Sequence, residues 1–135
     1  MIERIEQSIC EILKTKFPKF DIRVYHSDFK KYNFTNSTGC MLICYKGVQY
    51  SEQKTIGDIY QEGLYTYTIK AGFKSCNEMS DCYSDLEELK LIVDGIKINS
   101  RYTYLSECKF EEEYCNDLWW NITVKIKLPI FKEIK

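Results

Sequence analysis

Trp119-Trp120-Asn121-Ile122-Thr123-Val124-Lys125-Ile126-Lys127-Leu128 alternates almost without a break. Trp120, Ile122, Val124, Ile126 and Leu128 fall on one side, and Trp119, Asn121, Thr123, Lys125 and Lys127 on the other. Successive strand side chains point to opposite faces, so the segment reads as a strand with one face on a core. Pro129 is expected to end it, since proline cannot donate to a ladder. Trp120 shares the apolar row and is assigned to the core. Trp119 is expected to face outward, where an exposed ring beside strand tyrosines suggests a partner surface. The alternative is that a helix of the same chain covers it.

Other segments supply partners for this strand. Residues 64–73 also alternate, with Tyr65, Tyr67, Ile69, Ala71 and Phe73 on one face and Thr66, Thr68 and Lys70 on the other. Cys40-Met41-Leu42-Ile43-Cys44-Tyr45 is a continuous apolar run, the mark of a central strand covered on both faces. Residues 21–26 and 102–110 read as two further strands. Residues 27–38, the polar stretch from Gly47 to Asp58, and an acidic run from Glu111 to Asp117 read as connections.

Two segments carry helical spacing instead. Ile2, Ile5, Ile9, Ile12, Leu13 and Phe17 predict an amphipathic helix over 2–16, with Glu3, Arg4, Glu6, Lys14 and Lys16 on its outer side. Its acidic start and basic end suit the helix dipole, and Pro18 stops it. Cys82, Leu86, Leu89, Ile92 and Val93 predict a second helix, with Gly95 at its C-terminal cap. Ser75, Asn77 and Ser80 are candidate caps before it. Helix, three strands, helix and two strands make an α+β two-layer domain. The sheet is expected to be mixed or mostly antiparallel, with two amphipathic helices packed on it.

With 135 residues, the length fits one domain spanning 1–135. Hydrophobic residues at 44% and charged residues at 29% exclude a disordered chain. No apolar run reaches the roughly 18–20 residues that cross a bilayer, and Met1-Ile2-Glu3-Arg4 lacks an apolar leader core, so secretion is not expected. A formal charge of −1 argues against a surface that is wholly a nucleic-acid footprint. Seven cysteines, an odd number, cannot form a complete internal disulfide set, and free thiols are expected.

Chemistry-bearing motifs are sparse. The six glycines never form a phosphate loop, and no nucleophile elbow or zinc-protease motif occurs. No Cys-x-x-Cys pair occurs and His26 is the only histidine, so neither a metal site nor a cysteine–histidine nucleophile is expected. Cys10, Cys44 and Cys82 read as small core residues. Glu87-Glu88 and Glu111-Glu112-Glu113 read as solvated or docking carboxylates rather than an acid–base pair. Lys30 and Lys31 beside Tyr32 and Phe34 form a brief basic–aromatic mix, read as a solvated loop.

The whole chain resembles the small Mu-like prophage tail proteins, and the tail terminator or collar components of contractile phage tails and phage-tail-like bacteriocins. The resemblance lies in the order of elements. Ile2-Glu3-Arg4-Ile5-Glu6-Gln7-Ser8-Ile9 opens the first helix, Ile22-Arg23-Val24-Tyr25 follows, then Gly39 to Gly47, the strand around 65–71, the helix 83–93, and Leu118 to Val124 after an acidic bend. It implies a non-enzymatic subunit without cofactors, assembled in the bacterial host cytoplasm and then part of the tail. It further implies a ring, expected to be a hexamer, that contacts tail tube and sheath proteins and neither membrane nor specific nucleic acid. The ring would cap the head-proximal end and stop polymerisation. A neck or head–tail connector role, or a small binding domain unrelated to tails, are the alternatives. A closed ring needs two different flanks on each subunit. Tyr65, Tyr67 and Trp119 are the candidate aromatic contacts, and Glu111, Glu112 and Glu113 the candidate acidic partners of Lys125, Lys127 and Lys132.

Overall fold

The computed structural model describes residues 2–33, 38–51, 54–56, 58–74 and 82–133, with 54–56, 58–60 and 130–133 by backbone only. Helix α1 spans Ile2–Lys16 and helix α2 spans Tyr83–Val93. The strands are β1 (Asp21–Val24), β2 (Gly39–Tyr50), β3 (Lys54–Ile56), β4 (Asp58–Phe73), β5 (Lys97–Ile98), β6 (Arg101–Tyr102), β7 (Tyr104–Tyr114) and β8 (Asp117–Glu133). The main sheet has the order β1-β2-β4-β8-β7, with β3 on the outer part of β4, and β5 pairs with β6 separately. Among the described residues only β1 against β2 is parallel; the other pairings are antiparallel. The α+β two-layer domain with a mixed, mostly antiparallel sheet is the architecture observed.

Alternation sets the two faces as expected. Ile5, Ile9 and Leu13 of α1 and Leu86, Leu89 and Val93 of α2 pack with Met41, Ile43, Tyr67, Ile69, Ile122, Val124 and Ile126 in one core. Most of these side chains are fully buried, each worth roughly 1.5–3 kcal/mol over exposure. Gly95, at a φ of 126°, takes the position past α2 that a side chain disfavours. The cap candidates Ser75, Asn77 and Ser80 lie outside the described residues.

Several boundaries move. Strand β2 continues to Tyr50 and β4 starts at Asp58, so much of the polar 47–58 stretch is ladder rather than connection. A bulge between Tyr45 and Gly47 absorbs the change of register. Strand β8 runs through Pro129 to Glu133. Strand β7 pairs with β8 only as far as Lys125, so Pro129 sits on an edge, where its missing N–H can face away from β4. The acidic run is not a loop either. Glu111, Glu112 and Glu113 lie in β7, and the turn is two residues, Cys115 and Asn116, at φ 52° and 67°. Two successive positive φ values are the tight hairpin geometry that matches strand twist. Asn99 and Ser100 repeat it between β5 and β6, a small hairpin the residue pattern did not reveal.

The long strands outreach the helices. Sixteen residues of β4 span about 50 Å, whereas fifteen residues of α1 span about 22 Å. Leu128 is the last buried residue described on β8. Beyond it, the pairs from Glu62↔Pro129 to Asp58↔Glu133 continue the ladder as an arm, flanked by β3 through Lys54↔Tyr60.

Candidate interaction surface

Both helices pack on the same side, so the opposite face of the sheet depends on what else crosses it. At one end, the 3-10 turn Phe29–Lys31 folds over Cys40, Leu42 and Trp119 in a second small cluster. The Phe29 and Trp119 ring centroids are 4.6 Å apart. Trp119 is therefore 2% exposed, not an outward contact. It does leave the helix-side core, as alternation requires, but a turn covers it rather than a helix. Gly72 makes room for it: a Cβ there would lie 2.8 Å from the Trp119 ring. Trp120, on the helix side, is only half-buried and meets Tyr83 and Phe110 edge-on at 6.2 and 5.4 Å.

Tyr65 and Tyr67 are likewise not surface aromatics. They are 7% and 0% exposed in the core, and the Tyr67 hydroxyl donates to the Ile2 carbonyl at 3.3 Å. Burial, then the charges of Glu6 and nearby tyrosines, push the Tyr67 phenol well above its ordinary value.

The rest of the face is polar and open. Register aligns Leu42, Lys70, Asn121 and Lys109 in one row across four strands. Cys44, Thr68, Thr123 and Glu107 form the next, followed by Gly47, Thr66, Lys125 and Tyr104. Gln49, Leu64 and Lys127 lie furthest out.

Ion pairs divide the charges on this face. Glu111 pairs with Lys70, and Glu112 with Lys30 at 3.0 Å. The β7 bulge between Phe110 and Glu112 lets these consecutive carboxylates serve the same side. The Glu112 carboxylate, by hydrogen bond and charge, holds the Lys30 ammonium above its ordinary value. Lys109 pairs with Glu107 at 3.4 Å. The acidic triplet expected to meet another subunit is thus largely engaged within its own chain. Lys46, Lys125 and Lys127 have no ion pair among the described residues. The Lys132 side chain lies outside the described residues. Lys30 and Tyr32, read as a solvated loop, are tied down as well, Tyr32 donating its hydroxyl to Asp21.

A recess of about 390 Å³ opens on this face between residues 25–29 and strands β2 and β4. Lys46, Thr68, Lys70, Cys44, His26 and Asp28 contribute to its lining. Thr68 is 7% exposed, and its hydroxyl has no hydrogen-bond partner among the described residues. The Oδ1 of Asn121, also 7% exposed, is in the same condition. Both oxygens are sealed from solvent, so leaving them unpaired costs stability rather than offering a reachable contact.

Acid–base and thiol chemistry gain little here. Burial pushes the Cys40 thiol up to about 12 and raises Cys10 and Cys108, away from the reactive thiolate. Cys44 is half-buried on the open face rather than in the core, while Cys10 and Cys82 are buried as expected. Among the described residues, no group of three potential ligands is placed to hold a metal ion.

The helix side holds a residue that periodicity misplaced. Glu6, expected on the outer side of α1, is 4% exposed. Its Oε2 accepts from the Tyr45 N–H at 3.1 Å and contacts His26 Nε2 at 2.8 Å. Strand β1 ends at Val24, and Tyr25 N–H donates to the Ile43 carbonyl just past it. The next β2 donor on that side is Tyr45, so Glu6 takes the place of a strand. A bulged, Gly-containing Tyr45-Lys46-Gly47 was the available sequence signal. Nothing in the sequence marked Phe29 as the cover of Trp119.

A family model described as Gp37 protein matches residues 9–133. No curated protein matches the chain.

Proposed function

The chain belongs to the Gp37 protein family, a phage-associated family, and from that premise we propose that it is a tail terminator or collar subunit. In this reading six copies close a ring on the head-proximal end of a contractile tail tube and sheath and stop polymerisation. The same subunit serves a phage or a headless tail-like bacteriocin. Its work is contact rather than catalysis.

The β3-β4-β8 arm carries this reading. Five register pairs, Asp58↔Glu133 to Glu62↔Pro129, continue past the last buried residue described. From Ile126 on, β8 has a strand partner on one side only among the described residues. An edge of this kind pairs with, or packs on, another chain.

Imaging particles from a gene-deleted strain beside wild type tests the proposal. Tubes and sheaths of uncontrolled length, returned to uniform length when the protein is supplied, are expected. Tails of normal fixed length would overturn it. Normal tails that fail only to join heads would favour a neck connector instead.

A further inference from the structure

We propose that the uncovered sheet face of one copy seats the outer face of α2 from the next copy, and that this contact closes the ring. The inference rests on the ring reading above and names its contact. Two observations carry it: the complementary charges of the two faces, and the exposed apolar side chains on each.

The sheet face is cationic where it is open. Lys46, Lys125 and Lys127 lack ion pairs among the described residues, while Lys30, Lys70 and Lys109 are neutralised by Glu112, Glu111 and Glu107. Exposed Lys46, which lines the recess on this face, suits an incoming carboxylate, which accepts from its ammonium.

Helix α2 offers that carboxylate. Its sequence carries Asp85, Glu87 and Glu88 against Lys90 alone. Lys90 is held by Glu87 at 2.8 Å, whereas Glu88 has no ion pair among the described residues. Leu91, three and four residues further on, shares their face of the helix. At 78% exposure it is the most exposed large apolar side chain described. An exposed leucine beside carboxylates forms an apolar anchor with a charged rim. Half-buried Leu64 and the 40%-exposed Tyr104 offer apolar surface among the sheet lysines.

Placement makes the contact heterologous. Helix α2 lies on one side of the sheet and the lysines on the other, so one copy's back meets the next copy's front. Such a contact cannot close as a two-fold dimer. It forms a ring if each step rotates suitably, and a filament if it does not. Opposite charges on the two faces also disfavour front-to-front pairing, which would juxtapose the lysines.

Charge reversal on the full-length chain tests this by light scattering. Lys46→Glu with Lys127→Glu reverses the front, and Glu87→Lys with Glu88→Lys reverses the back. The wild-type chain is expected to assemble and each variant alone to lose assembly. An equimolar mixture of the two is expected to assemble again, because reversed front then meets reversed back in alternation. These sites are half-exposed or exposed, and the mixture separates a lost contact from a lost fold. Either variant assembling alone like wild type, or a mixture that stays monomeric, overturns the inference and leaves the ring reading intact. A wild-type chain that is monomeric at every soluble concentration also overturns it, and the deletion phenotype then decides whether the terminator reading falls too.

Discussion

Replacing Glu6 with alanine should be among the most damaging single changes in this protein, although helical periodicity places the residue on the solvent side. Glu6 Oε2 accepts the Tyr45 N–H at 3.1 Å and contacts His26 at 2.8 Å, at the point where β1 stops covering β2. Glu6→Ala leaves the Tyr45 N–H without its acceptor, a cost of about 1–3 kcal/mol. One side-chain methylene also leaves the interior, at about 0.8 kcal/mol. The sum is about 2–4 kcal/mol. An unfolding entropy of about 2.1 cal/mol/K per residue converts this to a fall in Tm of roughly 7–14 °C for a chain of this length. Thermal and urea unfolding followed by circular dichroism would measure it. Two further variants locate the cause. The His26 side chain is 62% exposed, so His26→Ala should cost under about 1 kcal/mol. Glu6→Gln keeps the shape and one acceptor oxygen and should fall between the two. If Glu6→Ala cost no more than His26→Ala, Glu6 would not be the substitute for a strand partner, and the argument would be refuted.

Gly72→Ala should displace Trp119, because the new Cβ would stand 2.8 Å from its ring; a loss of about 1–3 kcal/mol is expected, with a shifted tryptophan emission maximum as the readout. Ser100→Gly should stabilise the β5–β6 hairpin by up to about 1 kcal/mol, since Ser100 holds φ at 65° and glycine adopts that conformation without strain; a raised urea midpoint with unchanged slope would show it. Stability should fall as pH rises from 9 toward 12. The Cys40 thiol moves from its ordinary 9.0 up to about 12 on folding. Between those values the unfolded chain has released a proton that the folded chain retains, so alkali favours unfolding. A pH series of urea midpoints tests that sign. In the same protein, alkylation should reach exposed Cys115 well before buried Cys10, Cys40 and Cys82, as peptide mass mapping would read.

The family match and the fold together limit what the chain's surfaces are for. Membership in a phage-associated family rests on residues 9–133, nearly the whole chain. Within that frame, the acidic run expected to reach a neighbour is not the free charge. Lys70 and Lys30 engage Glu111 and Glu112 inside the molecule, while Glu88 on α2 is among the acids without an ion pair among the described residues. Lys125 and Lys127 keep the open position expected of them, and Lys46 joins them from the β2 bulge.

Which side chains share a face was legible from the sequence alone. The alternation of 119–128 and 64–73, and the 3.6-residue spacing of the two helices, follow from local backbone geometry, so the rows needed no knowledge of neighbours. The same local reading gave α+β layering and the positions of α1, α2 and Gly95. Whether a face is exposed was decided only in three dimensions, because cover comes from residues distant in sequence. Phe29 buries Trp119 from ninety positions away, and the helix layer buries Tyr65 and Tyr67. Glu6 goes inside because β1 is too short to satisfy Tyr45. Strand ends were equally non-local: β8 passes Pro129 because β7 stops at Lys125 and leaves an edge there. Periodicity is a property of one segment; burial and pairing are properties of the partner that segment finds.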